Sequence, residues 1–214
     1  MPEIIAVTVY RIEELPEPAK EQARAWYRRH GLDRDWYDAV FADFEAVCGI
    51  LGVTLRTSPA GLMGGGFRPR LHIYFRGFWS QGDGACFEGH YAYARRASEA
   101  IRRHAPLDVE LHRIVDRLQG VQRRSFYQLS AEARHRGHYC HEGCMAITVE
   151  RDGRSGQVMT AGTEDIATEA LRDLARWLYR QLEREYEHLT SDAVVDEALA
   201  ASDVSFTGDG RRFG

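Results

Sequence analysis

The chain is nearly devoid of lysine: Lys20 is the only one, and every other fixed cation is arginine. Its apolar runs are far too short for a membrane span, and it opens on the strand-like Glu3 to Ile12. A signal peptide and a transmembrane helix are therefore not expected. Cysteine is also sparse, with Cys48, Cys86, Cys140 and Cys144 scattered along 214 residues and no Cys-x-x-Cys. That argues against a secreted disulfide framework and for reduced thiols in a cytoplasm, with no membrane partner. The net charge of −4 is too small for a DNA mimic and has the wrong sign for a protein that is basic throughout. Neither Gly64-Gly65-Gly66 nor Ser80-Gln81-Gly82-Asp83-Gly84 has the lysine, or the strand-to-helix setting, of a phosphate-binding loop. No pattern calls for a cofactor. Internal repeats and low-complexity stretches are missing too.

What is present points to a folded α+β protein. A hydrophobic content of 44% over this length supports a proper core and a single domain spanning residues 1–214, with 203–214 as a small hairpin or loose tail. Ile4 to Ile12 reads as a strand with Val7 and Val9 facing the core. Helices are expected from Pro16 to about Arg29, and after Asp33 to Leu51. Val53 to Thr57 is a short strand, and Pro59 to Pro69 a mobile loop. Two helices follow, broken at Ala105-Pro106, and the second carries the stripe Leu111, Ile114, Val115 and Leu118. A strand within Phe126 to Arg134 pairs with Tyr139 to Arg151, where Met145, Ile147 and Val149 alternate. Asp152 to Gly162 is a polar loop. Thr163 starts the longest helix, with Glu164 and Asp165 in its first turn, and Ser191 caps a last one. Strands arriving in hairpin pairs predict an antiparallel or mixed sheet with helices packed mainly on one face.

The run from His72 to Tyr91 is the most informative stretch. Two aromatic-rich halves flank a polar, glycine-laced turn, which reads as a hairpin. His72, Tyr74 and Arg76 share one face of its first half. Exposed aromatics beside an adaptable loop make good partner anchors. The candidate partner-binding residues are therefore Arg76, Phe78, Trp79, Ser80, Gln81, Asp83, Phe87, Glu88 and His90. Arginines concentrate between Arg95 and Arg136, and Arg113, Arg117, Arg124, Arg134 and Arg136 would form a nucleic-acid face unless acidic residues neutralise them. His138, Cys140, His141 and Cys144 are residue types that hold zinc, but their spacing matches no finger or knuckle, so no metal is assigned. In a strand, His141 and Cys144 would face opposite sides, which argues against a nucleophile and its base.

The Phe78-Trp-Ser-Gln-Gly-Asp-Gly-Ala-Cys-Phe-Glu-Gly89 run resembles a group of small uncharacterised proteins of phages and integrated mobile elements of proteobacteria. Some of these are labelled antitoxins of toxin–antitoxin stability systems. The resemblance extends to Val9–Leu15, Arg123–Leu129, His135–His138, Ala170–Glu183 and the closing Asp209-Gly-Arg-Arg. It implies a genomic setting and no catalytic residues.

With no catalytic set in view, the first expectation is a phage- or mobile-element-encoded binding protein. It would inhibit a host defence complex, such as a CRISPR ribonucleoprotein, by protein–protein contact, as a monomer or a homodimer. An antitoxin paired with a cognate toxin is the alternative. A small enzyme acting on a nucleotide or nucleic acid is a third. It would use His72, Tyr74, Arg76, Glu88 and His90, with histidine and glutamate as acid and base.

Overall fold

The computed structural model describes residues 6–151 and 162–214. In chain order its elements are α1 (Glu17–His30), α2 (Asp38–Leu51), β1 (Val53–Leu55), β2 (Thr57–Gly61), β3 (Phe67–Leu71), β4 (Ile73–Arg76), β5 (Gly84–Phe87), β6 (Gly89–Ala92), α3 (Ala97–His104), α4 (Val109–Arg124), β7 (Leu129–His135), β8 (Met145–Arg151), α5 (Thr163–Leu189), α6 (Asp192–Ala201), β9 (Ser205–Phe206) and β10 (Arg212–Phe213). Every pairing between these strands is antiparallel, and the fold is α+β. Among the described residues no helix is long and apolar enough to cross a membrane. The residues group into two compact units, one from residues up to Asp38 with Glu183–Gly214, the other Ala39–Leu182.

The larger unit is built on a four-stranded sheet in the order β1-β6-β7-β8. Burial alternates along β1, β6 and β7, so one face holds Val53, Leu55, Tyr91, Leu129, Ala131 and Ala133 away from water. The helices bring their apolar stripes to this core. On α4, Leu111, Ile114, Val115 and Leu118 are all buried, as the i, i+3, i+4, i+7 spacing requires. On α2, Phe44 packs edge-on against Phe87 with 5.4 Å between centroids and stacks on Trp177 at 6.4 Å. Asp108 ties two helices together. Its Oδ1 accepts from the Leu111 amide at 2.8 Å, capping α4, and its Oδ2 accepts from the Trp177 indole at 2.7 Å.

One buried polar side chain sets the start of β7. Gln122 is fully buried and completes a two-way pair with Leu129: its amide nitrogen donates to the Leu129 carbonyl at 2.8 Å, and its oxygen accepts from the Leu129 amide at 3.2 Å. This lets the chain turn from α4 into β7 through Phe126 and Tyr127, both at positive φ (56° and 61°). A strand from Phe126 onward is therefore shortened to one starting at Leu129.

In the smaller unit, α1, α6 and the β9–β10 hairpin enclose Ile12, Leu15, Ala19, Ala23, Val195, Leu199 and Phe206. Residues 204–213 thus form the hairpin rather than the tail. Arg24 is buried at its edge and is held by carboxylates. Nε and Nη2 each donate to Asp196 at 2.7 Å, and Nη1 donates to Glu17 at 2.7 Å and Glu21 at 2.5 Å.

Two expectations change, and a third lies beyond the described residues. The amino-terminal strand reduces, among the described residues, to one bridge between Tyr10 and Phe206, and Val7 and Val9 are exposed. The burial comes one turn later, from Ile12 in a 3-10 turn. Pro59 to Pro69 is not a loop but belongs to a regular hairpin, in which Pro59 stands opposite Pro69. Neither proline has an N–H to give, so the pair suits a position where the ladder needs none. The polar loop expected at 152–162 lies, but for Gly162, outside the described residues.

Candidate functional site

Three hairpin-like strand pairs meet at one point. The chain passes from β1 to β2 through Arg56, from β3 to β4 through His72, and from β5 to β6 through Glu88. The backbones of these linking residues close a ring: Arg56 N–H donates to the Glu88 carbonyl at 2.9 Å, Glu88 N–H to His72 at 2.9 Å, and His72 N–H to Arg56 at 2.8 Å. The β2–β3 and β4–β5 hairpins leave this junction as separate arms, and the β1–β6 pair continues into the main sheet.

The side chains of the same residues also converge. Glu88 is buried, and its Oε2 lies 2.8 Å from His72 Nδ1 and 3.7 Å from Arg56. Its Oε1 accepts from the His135 amide at 3.1 Å. Burial pushes the Glu88 carboxyl upward, but the bonds from His72 and His135 and the Arg56 charge outweigh it and hold the group below the usual glutamate range. Tyr74 stacks on His135 with 4.5 Å between centroids, and burial together with the Glu88 charge raises its hydroxyl pKa. Of the five residues grouped for catalysis, His72, Tyr74 and Glu88 come together. His90 instead faces Glu132 at 3.4 Å, and Arg76 is exposed on the far end of β4. Both Glu88 oxygens are committed to holding strands. Arg56, missed in the sequence, and His135, placed there only with the histidine- and cysteine-rich stretch, complete the group, because long-range pairing alone makes them neighbours of Glu88.

The turn from Gly77 to Asp83 is ordered by its own polar groups. The Asp83 carboxylate accepts from the Ser80 amide at 2.8 Å, and the Asp83 amide donates to the Ser80 carbonyl at 3.1 Å. Trp79 sits here at φ 67°, in the left-handed region, and is 75% exposed. Phe78 beneath it lies 5.1 Å from Phe75 and 5.5 Å from Tyr179, centroid to centroid. Arg76, Ser80 and Gln81 are exposed beside the tryptophan, and Asp83 is half-buried. Phe87 does not belong to this surface: it is fully buried against Phe44, because its position in β5 turns it inward.

The glycines of this turn exist for close approach. A Cβ on Gly84 would fall 2.7 Å from the Cα of His141, and the Cys140 amide donates to the Gly82 carbonyl at 3.3 Å. The turn therefore packs against the histidine- and cysteine-rich segment before β8. That segment is not strand: Glu142–Cys144 is a 3-10 turn, and β8 starts at Met145. The turn brings His141 Nε2 to 3.5 Å from the Cys144 sulfur, while His141 Nδ1 accepts from the Gly143 amide at 3.0 Å. The expectation that these two side chains face apart is thus corrected. His138 lies against Tyr139, with 6.0 Å between ring centroids. Among the described residues no three metal-ligating side chains gather. Burial pushes the thiols of Cys86 and Cys140 upward, away from the thiolate.

The arginines expected to face nucleic acid divide. Arg113, Arg117 and Arg124 line an open concavity of about 880 Å³ along α4, with Arg102, His112 and Asp116. Much of its charge is matched within the unit. Arg117 pairs with the buried Asp173, Arg113 with Glu110 at 3.8 Å, and Arg102 with Asp116 at 2.7 Å. Arg134, on β7, pairs with Glu132 at 2.6 Å, and Arg136 begins the connection after it.

Residues 36–192 match the family described as a domain of unknown function (DUF8835). No curated protein and no solved structure matches the chain.

Proposed function

We propose that the chain, which belongs to the DUF8835 family, is a binding protein of a phage or mobile element that occupies the surface of a host defence complex in the anti-CRISPR manner. The observation behind this reading is Trp79. A large aromatic is held in open solvent at a strained φ of 67°, on a turn fixed by Asp83 and backed by Phe78. Backbone strain and exposed apolar area both cost stability, and such costs cluster at sites used for recognition. Glu88, the natural acid or base of the enzyme reading, is saturated by structural contacts, so docking is preferred over catalysis.

The test is whether purified protein blocks target-DNA binding and cleavage by CRISPR ribonucleoproteins of several subtypes. Inhibition by wild-type protein that is lost with Trp79→Ala and Arg76→Ala supports the reading. Complexes that bind and cut fully in its presence overturn it. Rescue of growth from a co-expressed toxin would instead favour the antitoxin alternative.

A further inference from the structure

The β2–β3 arm carries charge of one sign only. From Arg56 to His72 there is no aspartate or glutamate, and the cations are Arg56, Arg68, Arg70 and His72. Pairing places Arg70 opposite Ser58 and Arg68 opposite Ala60. Residues directly opposite in an antiparallel pair share a face, so both arginines project from the same side, with only small partners beneath them. The other side holds Pro59, Pro69 and Phe67. Every residue from Gly61 to Arg70 is exposed, and at the tip Met63, Leu62 and Phe67 stand in solvent.

We infer that this arm is a nucleic-acid-binding ribbon that takes the phosphate backbone of duplex DNA. One contrast in charge and three features of shape carry the inference. On α4, Arg113 and Arg117 are matched by Glu110 and Asp173, whereas among the described residues neither Arg68 nor Arg70 enters an ion pair and no carboxylate lies anywhere in their hairpin. Arginine forks suit phosphate oxygens, and a surface of one sign with no counter-charge selects a polyanion. Five residues per strand give the arm a reach of roughly 16 Å, and a two-stranded ribbon fits a major groove about 12 Å wide. The apolar tip adds groups able to lie against thymine methyls in the same groove. At its root the arm is fixed by the backbone ring through Arg56, His72 and Glu88, so its direction is set before any ligand arrives. This inference stands apart from the role of Trp79, which lies on the other arm.

The probe is a fluorescein-labelled duplex of about two helical turns, read by anisotropy between about 50 and 200 mM salt. Arg68→Gln/Arg70→Gln is expected to weaken binding about tenfold or more and to lower the salt slope by about two. Met63→Ala is expected to weaken binding with the slope unchanged. Arg113→Gln/Arg124→Gln is the control and should bind as wild type. Thermal melting confirms that each variant is folded, which exposed positions on a projecting hairpin allow. Absence of binding by wild-type protein at low salt overturns the inference. So does an unchanged slope in the arm variant, an equal loss in the α4 variant, or tighter binding to a single strand of the same length.

Discussion

Gly82 lies flat against the ring of Tyr139: a Cβ at position 82 would sit 2.0 Å from Tyr139 Cδ1. The residue also has φ +85°, which disfavours any side chain. Gly82→Ala should lower stability by about 1–2 kcal/mol, combining left-handed strain with displacement of the ring. Tyr139 is partly exposed and can swing aside, so the loss in Gly82→Ala/Tyr139→Ala should be smaller than the sum of the two single losses. Urea unfolding of the three variants reads this directly.

Phe87 and Trp79 stand on the same hairpin with opposite surroundings. Phe87→Ala empties a site fully enclosed beside Phe44 and should cost about 3–5 kcal/mol. Trp79→Ala removes a side chain that is mostly in water and should leave the melting temperature close to that of wild type. Calorimetry on the two variants separates core from surface.

Gln122→Leu should be among the most damaging changes in the larger unit. It keeps the apolar stem but strips partners from a buried N–H and a buried C=O at Leu129, at about 1–3 kcal/mol for each group left unsatisfied. Hydrogen exchange at Leu129 should quicken along with the global loss seen in urea.

Arg24→Met would leave Asp196, Glu17 and Glu21 clustered around an apolar side chain. A loss of about 1–3 kcal/mol follows from removing charge-assisted bonds to carboxylates that are themselves partly exposed. Arg24→Lys should recover only part of it, because one ammonium cannot reproduce the two parallel bonds to Asp196.

Glu88 gives the junction a pH dependence of defined sign. Its carboxyl titrates below the usual range in the folded protein, so its stabilisation is present above the unfolded value of about 4.3 and is lost as pH falls through the lower, folded value. Glu88→Gln should be less stable than wild type near neutrality, and the gap should close with acidification. Unfolding free energies measured at falling pH for both proteins check it. A gap that stays constant to low pH would contradict the assignment.

The parts of this fold that the sequence announces are those whose cause is local. The α4 stripe and the start of α5 at Thr163 follow from helical period and helix-end chemistry, and both stand where expected. The β4–β5 hairpin follows from alternation about a glycine turn. The β2–β3 hairpin is hidden because four glycines and two prolines imitate a loop, and only the opposition of Pro59 and Pro69 reconciles them with a ladder. At the site, Glu88 and His72 are 16 positions apart and Glu88 and His135 are 47 apart. No local period couples residues so distant. The 3-10 turn that joins His141 to Cys144 was obscured by the alternation of the strand that follows it.

The ring through Arg56, His72 and Glu88 uses one backbone donor and one acceptor from each residue, and so leaves the three strand pairs with no shared hydrogen bonds beyond that point. The β2–β3 arm is therefore an attachment on this socket, whereas the β4–β5 arm also buries β5 in the core. An insertion at the Gly64–Gly66 tip lengthens one arm without altering the register of the other two. Recognition surfaces can in this way diversify one at a time, while the main sheet keeps its pairing.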